Sequence, residues 1–399
     1  MRRTLTIAAI VIVLLGLGVG AYFYFSPGTP SITVAPAGSV SFPSAGQSGA
    51  SATSATTSTA STIPETPVAV STRLVQISAG PVVPGEVVTD ARTATGSSTI
   101  SVSYIARESG NVFSYLPSTQ TLTRINNKTI PGIQSASWLP DASVAFVRYL
   151  SGNAFSTINT YALASSSPAG FFLPQNLSDV AVSQAGILTS ATGVNGTVVS
   201  LGRIDGSHMT TLFTTPLTAI RTSFAGKNQY LVFSKPSATL DGDAFLVDSA
   251  GHFSRIAGPL PGLTALASPS GKWVLVSFTR GSSMQMELVN TSTGAVLPLP
   301  VATITDKCVW TSDETAIYCG VPLSPSASAS YPDDWYQGAV SFSDRIWKID
   351  VAGRYAQLAL DFSQANKGTL DAESLAIDPA NTTLIFVNKN DGSLWSFSL

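Results

Sequence analysis

Asp333, Asp334, Trp335 and Tyr336 stand together in the stretch YPDDWYQG, two carboxylates beside two large aromatic rings. That combination suits a sugar ring stacked on the indole and hydrogen-bonded to a carboxylate, or a peptide amine. A second reading has Trp335 and Tyr336 folding back over the mouth of the domain as a plug while the aspartates cap turns. Glycoside cleavage fits poorly, because the two carboxylates of a glycosidase stand about 5 to 9.5 Å apart across the bond, which sequence neighbours in one loop seldom reach. Cys308 and Cys319 are the only cysteines and lie equidistant from a turn at Asp313 and Glu314. Antiparallel pairing about that turn sets them opposite each other. A cross-strand disulfide follows if the domain lies outside the cytoplasm; two buried thiols acting as small apolar residues are the alternative.

The remaining chemistry-bearing residues are sparse. Two histidines and two cysteines leave too little material for a nitrogen or sulfur metal site, so neither a metal nor a cofactor is expected. Asp241 and Asp243 (LDGDAF) lack the ligand spacing of a calcium loop and read as a turn. His208 and His252 fall in equivalent outer turns without the Ser and Asp of a triad. A G-x-S-x-G nucleophile elbow is missing. Only 11% of the 399 residues are charged and the net charge is −2, so there is no basic field for a nucleic acid backbone.

These residues are carried by a repeated phrase. It is clearest in SASWLPDASVAFV from Ser135, an apolar strand, a tight polar turn and a second apolar strand. TALASPSGKWVLVSF from Thr264, DKCVWTSDETAIYCG from Asp306 and ESLAIDPANTTLIFV from Glu373 are variants, and RTSFAGKNQYLVFS and DVAVSQAGILTS are weaker copies. Four strands per repeat at a period near 40 residues are the signature of propeller blades. Six full repeats follow one another, the sixth lengthened by the insertion SPSASASYPDDWYQGAVSFSD from Ser324 to Asp344. The seventh, at the C-terminus, supplies only three strands. RLVQIS, from Arg73 to Ser78, precedes the first repeat and is the natural fourth. The fold class is therefore all-β: a seven-bladed β-propeller over residues 73–399, closed by an N-terminal strand that leaves no open sheet edge.

The second half of several repeats, WKIDVAGRYAQL, FLVDSAGHFSRI and SLGRIDGSHMTTL, with the W-x-P-D turn at Trp138 to Asp141, resembles the TolB-like, WD-repeat-related propellers. Together with the N-terminal anchor described next, RLVQISAGPVV, KCVW…YCGVP and PDDWYQG resemble uncharacterised anchored propellers of uncultivated bacterial lineages. The resemblance implies the fold and an envelope or surface setting; it names no activity, since such propellers serve many. Ser270 replaces the turn aspartate in the fifth repeat, and the third repeat has no Pro-Asp turn.

Residues 1–25 open with two arginines and then run uncharged from Thr4 through Phe25, ending in the aromatic cluster Tyr22 to Phe25. This predicts one transmembrane helix with a cytoplasmic N-terminus; a cleaved signal peptide is the competing reading. Residues 26–72, rich in Ser, Thr, Ala and Pro, read as a disordered tether reaching about 35–40 Å. The expectation is a non-enzymatic, single-pass, membrane-anchored propeller outside the cytoplasm, a scaffold for a protein or envelope component. The alternative partner is a glycan, bound at Asp333 to Tyr336.

Overall fold

The computed structural model describes residues 73–92, 98–165, 167, 170–365 and 368–399. The expected anchor and tether, 1–25 and 26–72, lie outside them. Among the described residues, no helix is long and apolar enough to cross a membrane.

Seven four-stranded antiparallel sheets form the blades of a β-propeller. Blade one uses Val87–Arg92, Ser98–Ile105, Val112–Leu116 and Thr121–Asn126 in order from the inside outward. The inner strands of the next five blades are Ile133–Trp138, Leu177–Ser183, Ile220–Phe224, Thr264–Ala267 and Cys308–Trp310. Blade seven takes Ala372–Ile377, Thr383–Asn388 and Leu394–Ser398 from the C-terminus and Leu74–Gln76 as its outer strand, with Leu74 opposite Phe397 and Gln76 opposite Trp395.

The burial of each strand follows its place in a blade. Second strands have a neighbouring blade on either face, so Thr383–Asn388 is buried at all six positions. Such strands read as continuous apolar runs and not as alternation. Outer strands are polar: Thr121–Asn126 is exposed at its first four positions. An apolar cluster fills each interface between consecutive blades. The interface between blades seven and one has its own, with Val102, Tyr104 and Tyr115 against Ile385, Val387 and Leu394. Each fully buried side chain of this kind contributes roughly 1.5–3 kcal/mol, whereas a backbone hydrogen bond adds about 1 kcal/mol net. Closure therefore rests more on this packing than on the three-residue pairing of Leu74–Gln76.

The repeated phrase has one geometry. Leu139 N donates to Val144 O and Ala142 N to Leu139 O, both at 2.9 Å. The same two bonds recur at Ser268 and Gly271, at Thr311 and Glu314, and at Asp378 and Asn381. In every copy the fourth turn residue has a positive φ, from 58° to 77°. At Gly271 a β-carbon would also lie 2.4 Å from Ala225 O of the neighbouring blade, so glycine is required there. The serine that replaces aspartate in the fifth copy serves that contact zone: Ser270 Oγ donates to Glu314 Oε2 at 2.7 Å, joining the turns of blades five and six. Asp241 and Asp243 correct the expected turn. They open the strand Asp241–Asp248, because the facing strand continues to Pro261, opposite Asp241, and Arg255 reaches across to Asp243 Oδ1 at 3.3 Å.

Candidate functional site

Inner strands start at the end of the ring from which the connection between Pro322 and Asp344 emerges. Their first residues, or those just before, bring charge to the mouth of the central channel: Glu86, Asp179, Arg221, Asp306 and Glu373. Blade two adds Arg148 from its second strand, opposite Ser135. Arg221 Nη1 donates to Asp306 Oδ1 at 2.8 Å, and the Asp306 carboxylate holds the guanidinium pKa above its ordinary value. Asp179 Oδ2 accepts from Thr222 N at 2.7 Å. Arg148 Nη2 donates to Leu177 O at 2.6 Å. Lys389 Nζ lies 3.9 Å from Glu373 Oε2.

The insertion is fastened to this mouth. Asp333–Tyr336 forms one helical turn, and Tyr331, Trp335 and Phe342 build a small core with Met284 and Ile304. Trp335 is 2% exposed, stacked on Phe342 at 6.3 Å between ring centroids. Its Nε1 donates to Asp371 Oδ2 at 3.0 Å. The same carboxylate accepts from Phe342 N at 2.8 Å and from Lys307 Nζ. Lys307 is fully buried, and its ammonium also meets Asp344 Oδ2 at 2.8 Å and Ala372 O at 2.8 Å. Burial pushes the Asp344 carboxyl up to about 6, against the pull of Lys307. Tyr336 Oη donates to Asp306 Oδ2, and its ring lies 5.3 Å from the Arg221 guanidinium. Burial, with Asp306 beside it, raises the phenol pKa.

The four residues of the YPDDWYQG motif therefore do not form an open aromatic platform. The Trp335 ring carries the Lys389 and Lys307 ammonium groups 4.7 and 5.1 Å from its centroid, which leaves no free face for a sugar. Asp333 Oδ2 accepts from Ala238 N at 3.0 Å and Asp334 Oδ2 from Ser330 N at 2.7 Å, so both aspartates tie loops down. The physical reason is Asp371: a buried carboxylate, 36 residues away in the chain, supplies an acceptor that draws the indole inward. The exposed surface of the insertion is the arc Ser324 to Ser328 together with Ser330, Gln337 to Ala339 and Ser341. Cys308 pairs with Cys319 and the two are disulfide-bonded immediately after Lys307. His208 and His252 are exposed at outer turns, the latter with Nδ1 3.0 Å from Asp248 Oδ2.

Chemically, the mouth can hold charged groups: ammonium against carboxylate, guanidinium against phenol and carboxylate. A groove of about 670 Å³ along residues 191–198 and 214–216 carries no charged residue. The mouth residues escape motif searches, yet one signal marks them. When the inner strands are aligned, GEVV, SDVAV, IRTSF, TDKCVW and AESLAI each place a charged residue just ahead of, or at the start of, the apolar run.

No family model matches this chain, and no curated protein matches it in sequence. Solved structures match in fold. An oligogalacturonate lyase from Vibrio parahaemolyticus aligns with a TM-score of 0.53 at 8% identity, over 82% of this chain and 93% of that one. The β-propeller domain of the Trilobed protease from Pyrococcus furiosus gives 0.51 at 8% identity, over 80% and 93%. Hydrazine synthase from Kuenenia stuttgartiensis gives 0.50 at 12% identity, over 81% and 97%. At these identities the likeness carries the propeller fold alone.

Proposed function

We propose that this chain is a non-enzymatic, membrane-tethered scaffold outside the cytoplasm, related to the TolB-like propellers, whose blade-six insertion is a rigid knob that recognises a protein of the envelope. The observation that carries this reading is the fastening of the insertion: its own aromatic core and the Asp371 and Asp306 contacts fix a 21-residue loop that no other blade carries in sequence. Loops held by a rigid scaffold are where propellers meet partners. The uncharged run Thr4 to Phe25 and the Ser/Thr-rich stretch after it support a tethered position at a membrane. Glycan binding at Asp333 to Tyr336 is less well supported, because a sugar would have to displace the packing on Trp335.

Crosslinking and mass spectrometry on membranes test the reading, comparing the native chain with Ala327→Arg and Gln337→Arg, which alter only exposed positions. A reproducible partner lost from both variants supports the knob. A partner set unchanged by them overturns it, as does saturable glycan binding or glycan hydrolysis by the full chain.

A further inference from the structure

Of the carboxylates around the channel mouth, Glu86 alone has no partner from another segment of the chain. Asp306 has Arg221, Asp344 and Asp371 share Lys307, Glu373 has Lys389, and Asp179 has the Thr222 amide. Glu86 is 8% exposed, and no side chain or cation pairs with its carboxylate, whose only polar company is the local backbone of Gly85 and Glu86. A buried, unpaired carboxylate is costly, and its placement is built and not incidental. Gly85, at φ +98°, packs so closely that a β-carbon would lie 1.9 Å from Ala136 O, and Ala136 N donates to Pro84 O at 3.0 Å. The segment leading to Glu86 is pinned against blade two. Facing it from blade seven, Glu373 sits where the inner strand slips register, between Glu373 and Ala376, and Ser374 has φ +52°. Bulges of this kind re-aim a side chain.

We propose that Glu86, with Glu373 across the seam between blades one and seven, binds a primary ammonium group that a ligand presents at the channel mouth. Lys307 and Lys389 already show this chemistry in place: both ammonium groups sit between carboxylate and the Trp335 ring. A divalent metal fits less well, since no group of three or more metal-ligand side chains occurs among the described residues. Glu373 is the more open member of the pair, its side chain 19% exposed. Binding exchanges a proton. Burial, with Glu373 adding to it, pushes the Glu86 carboxyl up to about 8, so at neutral pH it is the neutral acid; the arriving ammonium pairs with the carboxylate and the acid proton leaves to solvent. The other charged groups that act on Glu373 here are Lys389, Lys307, Asp371 and Asp306. The site is independent of whether the blade-six knob has a protein partner.

Titration calorimetry on the full chain in detergent, with n-butylammonium as probe and n-butanol as neutral control, tests this. Expected is saturable binding of the cation alone, release of about one proton at pH 7, and affinity rising roughly tenfold per pH unit below pH 8. Glu86→Gln, which keeps the shape of the side chain, should abolish binding, and Glu373→Gln should weaken it about tenfold. Each variant is first shown to melt cooperatively. Absence of saturable heat, binding unchanged in Glu86→Gln, or calcium binding at Glu86 in place of the ammonium would overturn the proposal.

Discussion

Lys307 and Asp371 form an ion pair in which neither side chain is exposed at all, and the blade-six insertion is anchored on it. Removing one member of such a pair leaves a buried charge uncompensated, at about 3–5 kcal/mol. Lys307→Met strands both Asp371 and Asp344, so a loss in that range is expected from urea denaturation. The double change Lys307→Met with Asp371→Leu should lose less. Hydrogen exchange over residues 324–343 should quicken in the single variant, because Trp335 and Phe342 then rest on a carboxylate that has lost its counter-charge.

The Tyr336 hydroxyl tests how tightly the knob is latched. Tyr336→Phe removes its bond to Asp306 but leaves the Asp306 pair with Arg221. A hydrogen bond to a charged group is worth about 1.5–3 kcal/mol, and the partner retained here keeps the expected loss near the lower figure. Exchange should quicken over residues 330–342 and remain unchanged in blades one to three. Uniform destabilisation of the whole ring would show that the insertion is part of the core and not a docked knob.

Seven blades are legible in the sequence because strand, turn and strand recur within each repeat, and the residues that set the turn lie within five positions of one another. The two bonds that define the Leu139, Ser268, Thr311 and Asp378 turns are made within each turn. The channel mouth is legible only in part. Five of the seven inner strands advertise a charge, but the partner arrives from another blade: Arg221 and Asp306 are 85 residues apart, Lys307 and Asp371 are 64. The same distance hides the fate of Trp335. Beside Asp333 and Asp334 an indole looks like an exposed platform; only Asp371, on the next blade, makes it a buried anchor.

Stability should fall as pH rises. The Glu86 carboxyl has a folded-state pKa near 8 against an ordinary 4.5. The folded state therefore holds a proton that the unfolded chain has released. Its contribution is fully present below about pH 4.5 and is lost progressively as pH climbs to about 8, at roughly 1.4 kcal/mol per unit. Glu86→Gln should flatten this slope and be the more stable protein at pH 8.5. Melting temperatures of the two proteins at pH 6.0 and 8.5 check it, and an equal drop in both would show that Glu86 is not the source.

The disulfide should matter more for the knob than its position on a short hairpin suggests. Cys308 and Cys319 are 11 residues apart, so the cross-link limits the unfolded chain by about 3 kcal/mol on a loop-entropy account. Cys308 also follows Lys307 directly, and Asp306 precedes it, so the strand that the disulfide pins is the one that presents both groups to Trp335 and Tyr336. Replacing both cysteines by alanine should therefore cost about 3 kcal/mol in denaturation and also raise hydrogen exchange in residues 324–343. If the stability loss occurs while exchange in the insertion is unaltered, the disulfide serves the blade alone, and Lys307 keeps its place through Asp344 and Asp371 without it.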